Sequence, residues 1–259
     1  MTKTKIKLPT QPIKASHQSP NNLIIFSKPK VGKTELLAQL EGCLLLDLEK
    51  GSDYVSAMKL QANSVEDIKA IGEQIKADDY PYKYIAVDTV TKLEEICMPY
   101  AEILYSKTPM GKNWFKQKDG KLDPASGKKQ YGQIIGLPNG AGYAYLRQAY
   151  TNIIEYIKTL APRIILLGHV KDTQLEKAGA EVSSQDLDLT GKIKRIAASQ
   201  SDAIGYLYRG KDNKNILSFK TTDDVSCGAR PAHLRNKEIV ISEMTDKGLI
   251  THWNEVYID

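Results

Sequence analysis

Cysteine is scarce in this chain. Its three residues, Cys43, Cys97 and Cys227, are widely spaced and odd in number, with neither a C-x-x-C pair nor a zinc-ligand spacing. That excludes a disulfide framework and points to free, buried thiols in a reducing cytoplasm. Histidine is equally sparse, with four residues and no cluster of His or Cys at ligand spacing, which argues against a transition-metal centre. Long apolar runs are missing: none reaches 18 residues, and the first residues hold no apolar leader core. The expectation is therefore neither a membrane span nor secretion. No internal repeat is present. At 259 residues, 41% hydrophobic and 26% charged, the chain suffices for one large α/β domain or two small ones.

The charge is segregated. Residues 1–34 carry seven lysines and no acid, and residues 106–131 carry seven lysines against Asp119 and Asp123. The total is +5, so the rest of the chain is net acidic. Two basic segments on an acidic body suggest a polyanionic partner, although lysine-rich loops also serve solubility.

Residues 1–20, rich in Lys, Pro, Ser and Gln, read as a flexible basic arm, and 21–259 as a single domain. Leu23–Phe26, Cys43–Asp47, Tyr84–Asp88 and Arg163–Gly168 are short continuous apolar runs, the pattern of strands buried on both faces of a parallel sheet. Helical patterns over Thr34–Glu41, Ser64–Ala77, Val90–Tyr105 and Tyr143–Leu160 lie between them, which argues for an α/β fold. Ala203–Arg209, a Gly-Lys-Asp-Asn turn and Lys214–Lys220 predict a β-hairpin. His252–Ile258 reads as an edge strand or a loose tail. The stretch 106–142 has little hydrophobic pattern, and a loop of that length in a compact domain is usually functional or disordered.

The most informative segment is Ser27-Lys28-Pro29-Lys30-Val31-Gly32-Lys33-Thr34, set between the first strand and a helix. That is the context of a phosphate-binding P-loop, whose backbone N–H groups cradle phosphates. Lys33 would supply a charge to the β- and γ-phosphates of ATP, and Thr34 a hydroxyl to Mg²⁺. The usual pattern wants Gly where Ser27 stands, so Ser27 must accept the backbone angles of the turn. Tyr84–Asp88 has the form of a Walker B strand delivering Asp88 as a second Mg²⁺ ligand. Hydrolysis also needs a group that orients or deprotonates water; Glu49 is the candidate and Asp47 the runner-up. His169, at the end of the fourth strand, could hydrogen-bond the γ-phosphate or that water.

Taken together, these residues resemble the RecA-like P-loop NTPase core. The resemblance is closest to phage-encoded RecA-like ATP-binding proteins of the single-strand-annealing recombinase type, through Tyr143–Arg147, Leu167–Asp172 and Leu189–Lys192 on to Asp202. It covers roughly 22–222. The water-activating acid of that family follows the second strand, as Glu49 does; in the AAA+ family it directly follows the Walker B Asp, where Thr89 stands here. The resemblance implies a mainly parallel central sheet flanked by helices, and DNA-stimulated ATP hydrolysis with Mg²⁺ by a homo-oligomer, ring or filament, on single-stranded DNA. It implies Glu49 as general base and His169 in the sensor place, where the family more often has Gln. A basic residue reaching the neighbouring subunit's ATP would be Lys220, with Arg230 and Arg235 as competitors. A single-stranded-DNA-binding protein is a further candidate partner.

Two loops could line a DNA path. In 106–142, Lys112, Lys116, Lys118 and Lys121 are interleaved with Trp114, Phe115 and Tyr131, which suits phosphate neutralisation and base stacking; the alternative is a lid over the nucleotide. The second loop, 171–190, is net acidic and fits a protein contact or an ordered cap equally well. Three readings stay open: an ATPase on single-stranded DNA, a motor or helicase-loader ATPase acting on a protein, and a nucleotide-gated module with little turnover.

Overall fold

The structure is a computed structural model and describes residues 8, 10–114, 134–177, 180–222 and 224–259. Its centre is an 11-stranded sheet. Six strands run parallel in the order β3 (Lys59–Gln61), β2 (Cys43–Asp47), β4 (Tyr84–Asp88), β5 (Arg163–Lys177), β1 (Asn22–Ser27) and β7 (Ala203–Arg209). The sheet then continues antiparallel through β8 (Lys214–Ser218), β10 (Glu238–Thr245) and β11 (Gly248–Thr251). Two additions complete it: β6 (Ala180–Leu187) pairs with β5, and β9 (Gly228–Ala229) with β7.

Strand β1 shows why the sheet is buried on both faces. Ile24 and Phe26 point into one core with α2 (Val65–Ala77), α3 (Val90–Ser106), α5 (Ala141–Lys158) and α6 (Gly191–Gln200). Leu23 and Ile25 point into the other, with Leu36 and Leu37 of α1 (Lys33–Ala38) and the C-terminal Trp253, Val256 and Tyr257. The period-2 alternation of a strand thus feeds two apolar layers, and no polar face remains. In α5 the buried set Leu146, Ala149, Tyr150, Ile153, Ile154 and Ile157 recurs every three or four residues, the stripe of a helix laid on a sheet. Ser64 caps α2, accepting from Asp67 N at 3.1 Å, and Thr89 caps α3, accepting from Lys92 N at 3.3 Å.

Several expectations need correction. The fourth strand does not stop at Gly168. It continues to Lys177 and folds back as β6, so 171–190 is mostly a β-hairpin in register from Val170↔Leu187 to Lys177↔Ala180. Antiparallel pairing satisfies the backbone of a segment that runs past the sheet edge, and Lys194 Nζ, 2.5 Å from Asp186 Oδ2, holds its return strand. The stretch 106–142 is not all loop: Pro109–Trp114 form α4 and Pro138–Gly140 a 3₁₀ turn, while 115–133 lie outside the described residues. The expected hairpin 203–220 is present, with Asp212 and Asn213 at positive φ in its turn, but β7 is also the sixth strand of the parallel sheet. His252–Ile258 is neither strand nor loose tail. It forms a 3₁₀ turn, Trp253–Glu255, against α1.

That last contact fixes the helix that follows the phosphate loop. Trp253 is buried, and its indole Nε1 donates to Leu36 O at 3.0 Å, so it fills the lower core and satisfies a carbonyl at the helix end. Trp253→Ala is expected to lower the unfolding free energy by about 3–5 kcal/mol, measured by urea denaturation; a change below about 1 kcal/mol would show that the clamp contributes little.

Candidate functional site

The register brings the predicted residues to one edge. Across the parallel strands Ser27 pairs with His169, Asp88 with Leu167, and Asp47 with Asp88. The ends of β1, β5, β4 and β2 therefore meet at the carboxyl edge, where open α/β sheets bind ligands. β5 lies between β1 and β4, so a polar side chain from its end, His169, stands between the phosphate loop and the acidic strand ends.

Ser27 needs no glycine. It closes β1 in extended conformation, and the positive φ angles of the loop fall on Lys30 (62°) and Gly32 (101°). Its fully buried hydroxyl accepts from Lys33 Nζ at 2.9 Å. Lys28, Pro29 and Lys30 are exposed along the loop. Lys33 is only 7% exposed. Burial pulls its pKa down, and the carboxylates of Asp88 and Glu49 oppose that pull.

Thr34 Oγ1 donates to Asp88 Oδ2 at 2.7 Å. Burial raises the Asp88 carboxyl; the Thr34 hydroxyl and Lys33 lower it, and Glu49 and Asp47 raise it further. A buried carboxylate with two acidic neighbours is short of positive charge, and the Thr34 hydroxyl beside it adds a hard oxygen. That donor pair fits Mg²⁺, which uses one or two protein oxygens and fills its other positions from phosphates and water.

Glu49 is held from two sides. Thr89 Oγ1 donates to Glu49 Oε1 at 2.5 Å, and His169 Nε2 lies 3.1 Å from Oε1 and 3.3 Å from Oε2. Both Glu49 and His169 remain partly exposed, whereas His169 Nδ1 is buried with no hydrogen-bond partner among the described residues. The partner role of Thr89 escaped sequence reasoning; the available signal was a hydroxyl directly after the strand-ending Asp88, at the cap of α3.

Asp47 does different work. It is 1% exposed and accepts from the backbone N–H of Glu49 (3.1 Å), Gly51 (3.3 Å) and Ser52 (3.1 Å) and from the Ser52 hydroxyl (2.5 Å). Lys59 Nζ then bonds the carbonyls of Ser52 and Val55. With its oxygens committed to this turn, Asp47 holds the backbone that carries Glu49.

The candidate trans-acting cations lie away from this edge. Lys220 follows β8, which runs back toward the amino ends of the parallel strands, and pairs with Glu238 at 2.5 Å. Arg230 bonds Ser199 O at 2.6 Å and Asp202 Oδ1 at 3.4 Å, and Arg235 bonds Arg230 O at 2.8 Å, both at the amino edge. A cavity of about 560 Å³ opens there between the arm at His17 and Asn21 and these arginines; the chemistry-bearing side chains gather at the opposite edge. Of the candidate DNA contacts, Lys112 is exposed on α4 and Trp114 ends that helix. Lys116, Lys118 and Lys121 lie outside the described residues, as do Phe115 and Tyr131.

Comparison with protein families agrees with this geometry. The AAA domain family AAA_24 matches residues 19–230, and the chain belongs to it. Membership makes the chain a P-loop NTPase-type domain and points to nucleotide-dependent ATPase activity. The match ends between β9 and β10, so the strands and turn that clamp α1 lie beyond it. A comparison with curated proteins gives no match. Among the described residues no helix is long and apolar enough to cross a membrane, and no group of three or more His, Cys, Asp or Glu is placed to hold a metal ion.

Asp47 provides a test by pH. Burial pushes its carboxyl up, but the Ser52 hydroxyl and the three backbone donors together hold it below the usual carboxylate range. A depressed folded pKa gives stability that is complete above the unfolded value and lost as pH falls through the folded one. Asp47→Asn is therefore expected to cost about 2 kcal/mol at neutral pH, with the gap to wild type closing in acid. Urea denaturation across pH checks this; a gap independent of pH would mean that the charge on Asp47 is not what the turn uses.

Proposed function

We propose that the protein is a Mg²⁺-dependent ATPase that acts on single-stranded DNA in phage-type recombination or strand annealing, working as a homo-oligomer in the host cytoplasm. The observation that carries the reading is the Thr89–Glu49–His169 constellation beside Lys33 and Asp88. The carboxylate comes from the second strand, and a hydroxyl occupies the position after Asp88.

Lys33 meets the β- and γ-phosphates, and the loop backbone N–H groups bind their oxygens. Thr34 and Asp88 hold Mg²⁺, which supplies charge neutralisation at the phosphates. Glu49 orients and deprotonates the attacking water through Oε2, the oxygen that Thr89 leaves unbonded. His169 keeps Glu49 turned inward and connects the site to the β5–β6 hairpin, which begins one residue later at Val170. The family match supports the ATPase part of this reading. The DNA part is supported by the sequence resemblance and by the basic, aromatic segment around Lys112–Lys121. The fit of Ser27 against Lys33 supports a working phosphate loop despite the missing Gly.

Steady-state ATP hydrolysis with and without single-stranded DNA tests this function. Strong stimulation by DNA is expected, and Glu49→Gln is expected to bind ATP while turnover falls by 10² or more. Turnover indifferent to DNA would favour an ATPase that works on a protein, and equal turnover in Glu49→Gln would remove Glu49 from the mechanism. Neutralising Lys112, Lys116, Lys118 and Lys121 together should weaken single-strand binding and flatten its dependence on salt. An unchanged slope would make that segment a lid.

A further inference from the structure

A polar residue of the antiparallel half of the sheet lies near the phosphate loop. Asn215, on β8, is paired with Arg209 on β7 and with Ser242 on β10. It is 7% exposed, and its Nδ2 donates to Ser242 Oγ at 3.1 Å. Its Oδ1 is buried and has no hydrogen-bond partner among the described residues. A side chain built at Gly32 would meet Asn215 Nδ2 at 3.6 Å. The amide therefore lies against the loop residue immediately before Lys33.

A second feature points to the same place. Strand β10 carries a bulge: Val240 pairs with Ile216 and Ser242 with Asn215, so Ile241 is skipped. Unbroken pairing would set Ile241 opposite Asn215. The bulge instead brings a hydroxyl to the amide, and Ser242 is 1% exposed. Bulges commonly re-aim a side chain next to a functional site. The surroundings are apolar, with Leu217, Ile239 and Ile241 in the same cluster. A buried polar group lacking a partner costs about 1–3 kcal/mol, and an apolar replacement of both partners can be neutral or stabilising. This Asn–Ser pair is thus a poor choice for stability alone.

We propose that Asn215, oriented by Ser242, is a positioning residue for nucleotide binding. Its Nδ2 end, which faces Gly32, gives its second N–H to a backbone carbonyl of the loop as Gly32 and Lys33 close on phosphate. It acts through the loop and does not touch the phosphates. The inference rests on the reading of 27–34 as the nucleotide site.

The test compares ATP affinity and nucleotide-free stability for the full chain, wild type against Asn215→Leu, Ser242→Ala, the double variant and Lys33→Ala. Asn215→Leu is expected to bind ATP about tenfold more weakly, the effect of one hydrogen bond, while its urea midpoint without nucleotide stays the same or rises. Ser242→Ala should shift affinity in the same direction, and the double variant should bind no more weakly than Asn215→Leu, because the two residues act as a unit. Unchanged ATP affinity in Asn215→Leu, beside a wild type that binds far more tightly than Lys33→Ala, would overturn this inference alone. So would affinity and stability falling in parallel, which would make the pair packing only. A wild type that binds ATP no better than Lys33→Ala would overturn the reading of the loop and this inference with it. If Asn215→Leu does not fold, Ser242→Ala carries the same comparison.

Discussion

Lys33 and Asp88 are both buried at the carboxyl edge of the sheet, and neither is tolerable there without the other groups around it. Among the described residues the largely desolvated ammonium has the Ser27 hydroxyl as its close hydrogen-bond partner, and the largely desolvated carboxylate has that of Thr34. Desolvation weakens the charge on each, while their mutual attraction restores part of it. An edge held in that balance is poised for a ligand that brings both anionic oxygens for Lys33 and a cation for Asp88. ATP with Mg²⁺ supplies both.

The rest of the fold can be understood as what holds that edge in place. Four of the six parallel strands deliver it by register, and two apolar layers fix the sheet beneath it. On one face Trp253 holds α1 by filling the core and bonding Leu36 O. On the other, α3 starts at Thr89, which caps the helix and binds Glu49 at once. The first turns of α3 are also tied to the end of the β5–β6 hairpin: Thr91 Oγ1 donates to Asp188 O at 3.0 Å, and the buried Glu94 accepts from Thr190 N at 3.0 Å. The acidic strand end and the element beyond His169 are therefore one mechanical unit.

Sequence made much of this legible, for identifiable reasons. Short apolar runs that end in, or are followed at once by, Ser27, Asp47, Asp88 and His169 read as strands buried on both faces, and those polar residues mark one edge. Glu49 and His169 were separable as candidates but not as a pair, since they stand 120 positions apart. Asp47 was harder to place, because an acid ending a strand looks the same whether it meets water or ties down its own turn. The β5–β6 hairpin was hidden by its charges: alternation is weak in a hairpin that leaves the core. Asn215 was invisible, because its place near the loop depends on the order of β1, β7 and β8 in the sheet, and its partner Ser242 on the β10 bulge. The C-terminal turn gave no periodic signal, as a clamp of one tryptophan has none.

The most direct test is calorimetric titration of the wild-type protein with ATP, with Mg²⁺ and with the metal chelated. The predicted result is one saturable site per chain whose affinity falls markedly on chelation, since Asp88 and Thr34 are then left without their cation. Absence of saturable binding, or binding indifferent to Mg²⁺, would contradict the assignment of this edge.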